Sequence, residues 1–364
     1  MKSRPRRLMI MAGGTGGHIY PALAVAELWR ENGDEVVWLG TRAGLEARLV
    51  PEAGIVVEWI SIHGLRGKGL LSLLAAPLRL LYAMMQSLVA VRRQHPDLVL
   101  GMGGFVSGPG GVASWILRKP LLIHEQNAVA GLTNRLLSHI SSQLLEAFPG
   151  TFPRSYRVIS VGNPLRRGLS GLAAASPHRP LRLLVLGGSL GAQRLNQLVP
   201  QMVRMVPAGE LEVYHQAGGN NLGETELEYQ HCGVEWEDRD ETRIVPYIEN
   251  MAEAYRWADL VLCRAGAMTV SELAVVGRPS ILVPFPFAVD DHQTANGRFL
   301  ERCGAALLVQ QSELDGNRLY EIVMRFIDHP QRVSEMGERA SQAAQPDATN
   351  RVVSICQRFC QGVA

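Results

Sequence analysis

The 364-residue chain has only five cysteines and no C-x-x-C pair, no G-x-x-x-x-G-K-[ST] loop and no H-E-x-x-H motif. Cys232, Cys263, Cys303, Cys356 and Cys360 leave one thiol unpaired, which argues against a disulfide framework and for reduced thiols in the cytoplasm. Without the lysine-bearing loop there is no P-loop triphosphate site. Zinc is equally unsupported, because Ala128 stands where a second histidine would follow His124-Glu125. The net charge is only +2 and no aromatic-basic motif accompanies it, so no nucleic-acid partner is expected. The apolar run behind the basic start, Leu8 to Ala12, is too short for a signal peptide and reads as a strand. One absence is local. Between Trp59 and Pro96 there is no acidic residue.

What the chain does have is one device used twice. Leu8-Met-Ile-Met-Ala runs into Gly13-Gly14-Thr15-Gly16-Gly17-His18, and Leu183-Leu-Val-Leu runs into Gly187-Gly188-Ser189-Leu190-Gly191. Each apolar strand breaks on glycines and opens a helix, which lets backbone N–H groups and the positive end of a helix dipole approach an anion. Neither is a dinucleotide fingerprint. Ile19 stands where the third glycine of G-x-G-x-x-G belongs, and the strand Glu35–Leu39 ends in Gly40-Thr41-Arg42 without the ribose-binding acid.

The spacing predicts strands at Leu8–Ala12, Glu35–Leu39, Val56–Ile60, Asp97–Leu100, Leu121–His124 and Val158–Val161. A second set follows at Leu181–Leu186, Leu211–Gln216, Thr242–Val245, Ala258–Cys263, Ser280–Val283 and Ala305–Val309. Helical stretches alternate with them, the pattern of parallel, doubly wound sheets. A Gly-, Pro-, Ser- and Ala-rich segment, 162–180, reads as a linker. The expected architecture is therefore α/β, with two Rossmann-like domains facing a cleft. Residues 1–163 form the first, 164–345 the second, and a helix in 346–364 crosses back to the first.

Candidate site residues lie where strands end. Asp259-Leu-Val-Leu-Cys-Arg264-Ala-Gly266 leads into Ala267-Met268-Thr269-Val270-Ser271-Glu272. Glu272 has two readings: a capping box with Thr269 that needs no ligand, or a carboxylate that accepts both hydroxyls of a ribose. Asp290-Asp-His-Gln293-Thr-Ala-Asn296 presents amides and acids suited to sugar hydroxyls, or simply starts a hydrophilic helix. Gly101-Met-Gly-Gly-Phe105 and His124-Glu125-Gln126-Asn127 end strands of the first half. A departing diphosphate needs its charge stabilised. The one D-x-D, Asp238-Arg-Asp240, does not end a strand, so helix N-termini with an arginine such as Arg166 are preferred over a metal, and no cofactor is expected.

The acid-free segment carries Arg66, Lys68, Arg79, Arg92 and Arg93 around an apolar stretch, Leu70 to Val91. Pro77 and Arg79 near its middle oppose spanning, since a central arginine costs roughly 2.5–3.5 kcal/mol on insertion. It is either a buried crossover helix or an apolar face rimmed by cations that rests on an anionic membrane, and the missing acids favour the latter.

In order along nearly the whole chain, Gly13–His18, Gly103-Gly-Phe105, His124–Asn127, Gly162-Asn-Pro-Leu-Arg166, Gly187–Ser189, Arg264–Glu272 and Gln293 resemble the motifs of the MurG family of GT-B-fold transferases. The resemblance implies transfer of N-acetylglucosamine from UDP-N-acetylglucosamine to lipid I, making lipid II in peptidoglycan synthesis at the cytoplasmic face of the inner membrane. It implies uracil and ribose at Ile248 and Ala267 to Glu272, diphosphate at Ser189 and Arg166, and sugar hydroxyls at Gln293 and Asn296. Thr15, Gly16, Gly17 and Asn127 are implied as further UDP-N-acetylglucosamine-binding residues that close from the N-terminal side, where the acceptor pyrophosphate is expected. His292 departs from the second glutamine common in relatives, which bears on one sugar contact. An inverting displacement needs one base: His18 first, Glu125 second. The alternatives are a UDP-sugar 2-epimerase on the same fold, a nicotinamide dehydrogenase, and a non-catalytic sugar-nucleotide sensor.

Overall fold

A computed structural model of the chain describes residues 4–62, 76–155, 157–172, 177–188, 191–234 and 241–361. It divides into two compact units: Met1–Arg167 together with Pro346–Ala364, and Gly168–Gln345. The division falls after Arg167, so residues 164–167 group with the first unit and not with the second.

Among the described residues the first unit holds a seven-stranded parallel sheet. Its strands are β1 (Arg7–Met11), β2 (Glu35–Gly40), β3 (Val56–Trp59), β4 (Leu98–Gly101), β5 (Leu121–Glu125), β6 (Gln143–Glu146) and β7 (Val158–Ser160). The spatial order is β3-β2-β1-β4-β5-β6-β7. Strands covered on both faces must be apolar throughout, and β1 shows how. Leu8 and Ile10 join one cluster with Trp29 and the C-terminal Val352, Val353 and Ile355. Met9 and Met11, pointing the other way, join Ala90, Val91 and Ala113. The helices Gly16–Glu31 and Ala348–Cys360 thus cover one face, and Ala76–Gln94 and Ser107–Ile116 the other. Strand β6 has no counterpart in the sequence reading. Its four residues, Gln-Leu-Leu-Glu, offer only two apolar side chains between polar neighbours, and pairing with β5 from Leu122↔Gln143 to Glu125↔Glu146 is what extends them.

The second unit holds six parallel strands among its described residues: β8 (Leu181–Leu186), β9 (Leu211–Gln216), β10 (Thr242–Val245), β11 (Leu260–Cys263), β12 (Ser280–Leu282) and β13 (Ala306–Leu308). They run in the order β10-β9-β8-β11-β12-β13. Leu183 and Val185 point into a core with Leu195, Val199, Tyr229, Val323 and Phe326.

In both sheets the strand order reverses beside the first strand of the unit, between β1 and β4 and between β8 and β11. Ligands of open α/β sheets bind outside the carboxyl ends at such a switch point. Each switch point carries one of the glycine loops.

Candidate active site

In the first unit the chain leaves β1 and turns through Gly13 and Gly14, the latter at φ 95°. The loop from β4 lies directly against it: a Cβ on Gly104 would sit 2.3 Å from the Gly13 carbonyl oxygen, so only glycine permits this approach. Thr15 then caps the helix Gly16–Glu31 without a side-chain hydrogen bond, and no acid occupies its first turn. Beneath the loop lies a residue that the sequence reading missed. The fully buried Glu46 accepts from the N–H of Gly14 at 3.0 Å and of Thr41 at 3.1 Å, and from the Thr41 hydroxyl at 2.7 Å. The acid absent from the end of β2 stands five residues beyond Thr41, turned toward protein backbone.

His18 is the third residue of that helix. Its Nδ1 lies 3.1 Å from Gln126 Oε1, the Gln126 Nε2 lies 3.1 Å from His124 Nδ1, and His124 Nε2 lies 2.9 Å from the Gly162 carbonyl. His124 is fully buried, and that burial pushes its pKa down to about 4 against the pull of Gly162 and Glu125, so it is neutral near pH 7. Glu125, read as the second candidate base, is 2% exposed and already holds four donors. They are Asn127 N–H (3.0 Å), Asn127 Nδ2 (3.3 Å), Gly131 N–H (3.1 Å) and Asn134 Nδ2 (2.8 Å). Its carboxylate shapes the loop after β5, and a carboxylate so occupied is poorly placed to take a substrate proton. Asn127 is thereby tied to Glu125. Arg166 lies in the first unit with its guanidinium 4.0 Å from the Tyr20 ring centroid, on the helix that carries His18.

In the second unit, Gly188 and Gly191 both have φ 75°, and a Cβ on Gly191 would meet Asn221 Nδ2 at 2.0 Å. Ser189 lies outside the described residues. The helix Gln193–Met205 begins with neither a side-chain cap nor an acid in its first turn. Beneath this loop is a neutral network. Asn196 Nδ2 donates to the Ala217 carbonyl at 3.0 Å, and His215 bridges Asn196 Oδ1 at 3.1 Å and the Tyr229 hydroxyl at 3.0 Å. Burial pushes His215 down to about 3, which keeps it uncharged.

The helix Ala267–Val276 starts with Gly266 at its N-cap and no side-chain cap. Thr269 is therefore inside the helix and cannot be the cap of a T-x-x-E box, which removes that reading of Glu272. Glu272 is 7% exposed and accepts from the Tyr255 hydroxyl at 2.9 Å. The helix start brings Ala267, Met268, Thr269, Val270 and Ser271 together with it, and Ile248 is buried. Arg264 spans to the Val283 and Pro284 carbonyls, each at 3.1 Å, and to Gln311 Oε1 at 2.6 Å, fixing the loop after β12. Gln293 accepts the Phe285 N–H at 2.9 Å, and the buried Asn296 donates to the Ala265 carbonyl at 3.3 Å. Asp290 and Asp291 adopt left-handed conformations, φ 52° and 49°, to enter this helix. His292 donates from Nδ1 to the Val289 carbonyl at 2.7 Å. Asp238 and Asp240 lie outside the described residues.

Residues 8–145 match the N-terminal domain of glycosyltransferase family 28, and residues 182–352 match its C-terminal domain. The chain belongs to glycosyltransferase family 28. It is 50% identical over 99% of its length to the UDP-N-acetylglucosamine--N-acetylmuramyl-(pentapeptide) pyrophosphoryl-undecaprenol N-acetylglucosamine transferase of Thiobacillus denitrificans, covering all of that chain. The protein of the same name from Nitrosococcus oceani is 49% identical over 98% of this chain and 99% of its own. The crystal structure of Acinetobacter baumannii MurG superposes with a TM-score of 0.83 at 40% identity, over 97% of this chain and 100% of that one. The two-domain GT-B architecture expected from the sequence is that of this family. A Listeria monocytogenes structure described as a UDP-N-acetylglucosamine 2-epimerase is 14% identical with a TM-score of 0.67, a likeness of fold alone.

The family 28 transferase also exposes an apolar face on its first unit. Along the helix Ala76–Gln94 the small residues Ala83, Ser87 and Ala90 are buried, whereas Leu78, Leu81, Tyr82, Met85 and Val89 are exposed. This inverts the usual arrangement, and burying each large side chain elsewhere would gain roughly 1.5–3 kcal/mol. Trp115 and Ile116 are exposed at the end of the neighbouring helix, and Leu132 and Leu136 on the next. Arg79 and Arg92 are exposed on the same helix, while Arg93 forms an ion pair with Glu58. Arg93 is thus partly neutralised by an acid lying one residue before the acid-free segment. Arg66 and Lys68 lie outside the described residues. No helix among the described residues is long and apolar enough to cross a membrane.

Proposed function

We propose that the chain moves N-acetylglucosamine from UDP-N-acetylglucosamine to undecaprenyl-pyrophosphoryl-N-acetylmuramoyl pentapeptide (lipid I), forming the β-1,4 linkage of lipid II with inversion. The observation that carries this reading is the end-to-end identity of about one half with transferases of that name. The chemistry is a single displacement. His18 Nε2 takes the proton of the acceptor 4-hydroxyl, the oxygen attacks the anomeric carbon, and UDP departs with the electron pair of the broken C–O bond.

The donor belongs to the second unit. Ile248 offers backbone groups to uracil, Ala267 to Ser271 present the start of a helix, and Glu272 accepts from the ribose hydroxyls. Gln293 and Asn296 meet the sugar, and Ser189 meets the diphosphate, aided by uncapped helix starts worth about 0.3–1 kcal/mol each. Thr15, Gly16, Gly17 and Asn127 serve the acceptor side. The exposed apolar face with Arg79 and Arg92 rests on anionic lipid at the cytoplasmic face of the inner membrane, as a peripheral contact.

The test is incubation with radiolabelled UDP-N-acetylglucosamine and a soluble lipid I analogue, in EDTA. Transfer of label into a β-linked disaccharide is expected, and His18→Ala should lower kcat by roughly 10²- to 10⁴-fold. Release of UDP with 2-epimerised sugar and no disaccharide would make the chain an epimerase.

A further inference from the structure

We propose that Gln126 and His124 act as positioning residues that fix the tautomer of His18, placing its proton on Nδ1 and leaving the lone pair of Nε2 for the acceptor hydroxyl. This rests on reading His18 as the base.

The assignment follows from which atoms can only accept. The Gly162 carbonyl can only accept, so His124 Nε2, 2.9 Å away, carries a hydrogen. His124 is wholly buried, and its low pKa, about 4, leaves it neutral; its Nδ1 is therefore a lone pair. A lone pair draws a donor, so Gln126 must turn its amide nitrogen toward His124 Nδ1, at 3.1 Å. That choice sends the amide oxygen the other way, to His18 Nδ1 at 3.1 Å. An amide oxygen can only accept, so His18 Nδ1 carries the hydrogen, and in the neutral imidazole the lone pair is left on Nε2. Free histidine in water prefers the opposite tautomer. The protein reverses that preference with one amide whose orientation is decided two bonds upstream.

The relay is built to hold still. Gln126 is 1% exposed, and its backbone carbonyl accepts from Asn163 Nδ2 at 3.1 Å. The imidazole of His18 lies against Gly103: a Cβ there would fall 2.6 Å from Nδ1, so the ring needs a glycine beneath it. Among the described residues His18 Nε2 has no hydrogen-bond partner. The neighbouring carboxylate that a histidine base commonly leans on, Glu125, is occupied by its own loop. A neutral amide orients the imidazole without stabilising its protonated form as a carboxylate would.

The experiment is long-range ¹H–¹⁵N correlation of the ¹⁵N-histidine-labelled full chain, with the His18 signals identified by their loss in His18→Ala. The native chain should show Nδ1 protonated and Nε2 bare. Gln126→Met should shift His18 toward the Nε2-protonated form and lower kcat by roughly 10- to 1,000-fold with little change in the donor KM. Gln126→Glu keeps an acceptor toward His18 and should restore the Nδ1–H form, with kcat above that of Gln126→Met. An Nε2-protonated His18 in the native chain overturns the proposal, as does an Nδ1–H form that persists in Gln126→Met. The native spectrum decides the first point even if a variant fails to fold. His18→Ala with undiminished kcat would instead overturn the role of His18 as base while leaving the relay intact.

Discussion

The two glycine loops occupy equivalent places at the switch points of two similar sheets, yet what lies beneath them differs in charge. In the first unit, three buried glutamates gather backbone donors from four loops beyond the carboxyl ends of strands. Glu46 holds Gly14 and Thr41, Glu125 holds Asn127 and Gly131, and Glu146 holds Gly150 and Phe152. In the second unit the support is neutral, Asn196, His215 and Tyr229, whereas the helix that follows the glycine loop starts without a side-chain cap or a first-turn acid in both units. The N–H groups of Gly14 and Thr41, already satisfied by Glu46, cannot serve an anion, whereas the uncapped helix starts of either unit can. One topology therefore carries two kinds of support beneath its glycine loops: a buried carboxylate in the first unit, and amide, imidazole and phenol groups in the second.

The comparison is sharpened first by acid, where the two units should behave alike. His124 and His215 titrate at about 4 and about 3 in the folded chain, against about 6.5 when unfolded. Between those values the unfolded state binds more protons, so stability falls as pH falls below about 6.5. At pH 5 each histidine costs on the order of 2 kcal/mol relative to pH above 7. Urea unfolding followed by tryptophan fluorescence at pH 7.5 and pH 5 reads this out. An unchanged midpoint would mean that neither histidine is held neutral by burial.

The second expectation separates the units. Glu272→Ala should raise the KM for UDP-N-acetylglucosamine by roughly 10- to 100-fold, the loss of a charged hydrogen-bond partner. Glu46→Gln should leave that KM within about twofold and lower stability by about 1.5–3 kcal/mol instead. If Glu272→Ala merely destabilises the chain, Glu272 is a structural partner of Tyr255 and the ribose assignment fails. The smallest effect concerns the apolar face. Arg79→Gln and Arg92→Gln should each weaken binding to anionic vesicles by about fivefold, near 1 kcal/mol per cation, with turnover of a soluble acceptor analogue unchanged. Binding insensitive to salt and to both substitutions would return the helix to a role in packing.

Strand and loop positions were legible in the sequence because apolar runs ending in glycine are a local signal. Leu8–Ala12 and Leu181–Leu186 are read within a residue of β1 and β8. The order of the motifs sufficed for the family, since each motif is contiguous. Glu272 shows where local reading fails. T-x-x-E is a capping box only if the helix begins at the threonine, and the strand–helix junction instead begins it at Ala267. Strand β6 was invisible for a related reason, because its extension depends on pairing with β5 and not on its own four residues.

The sequence by itself determined the alternation of strands and helices, the two glycine loops and the acid-free segment. All of these are set by backbone conformational preference and by the spacing of apolar side chains along the chain. Only the tertiary structure decided that Glu125 serves its own loop, that Arg166 lies against Tyr20, that Arg93 is paired with Glu58, and that Gln126 stands between two histidines. Hydrogen bonding and ion pairing depend on which atoms meet in space. Residues 18, 124, 126 and 162 are brought together by three different strand ends, a proximity that no spacing along the chain encodes.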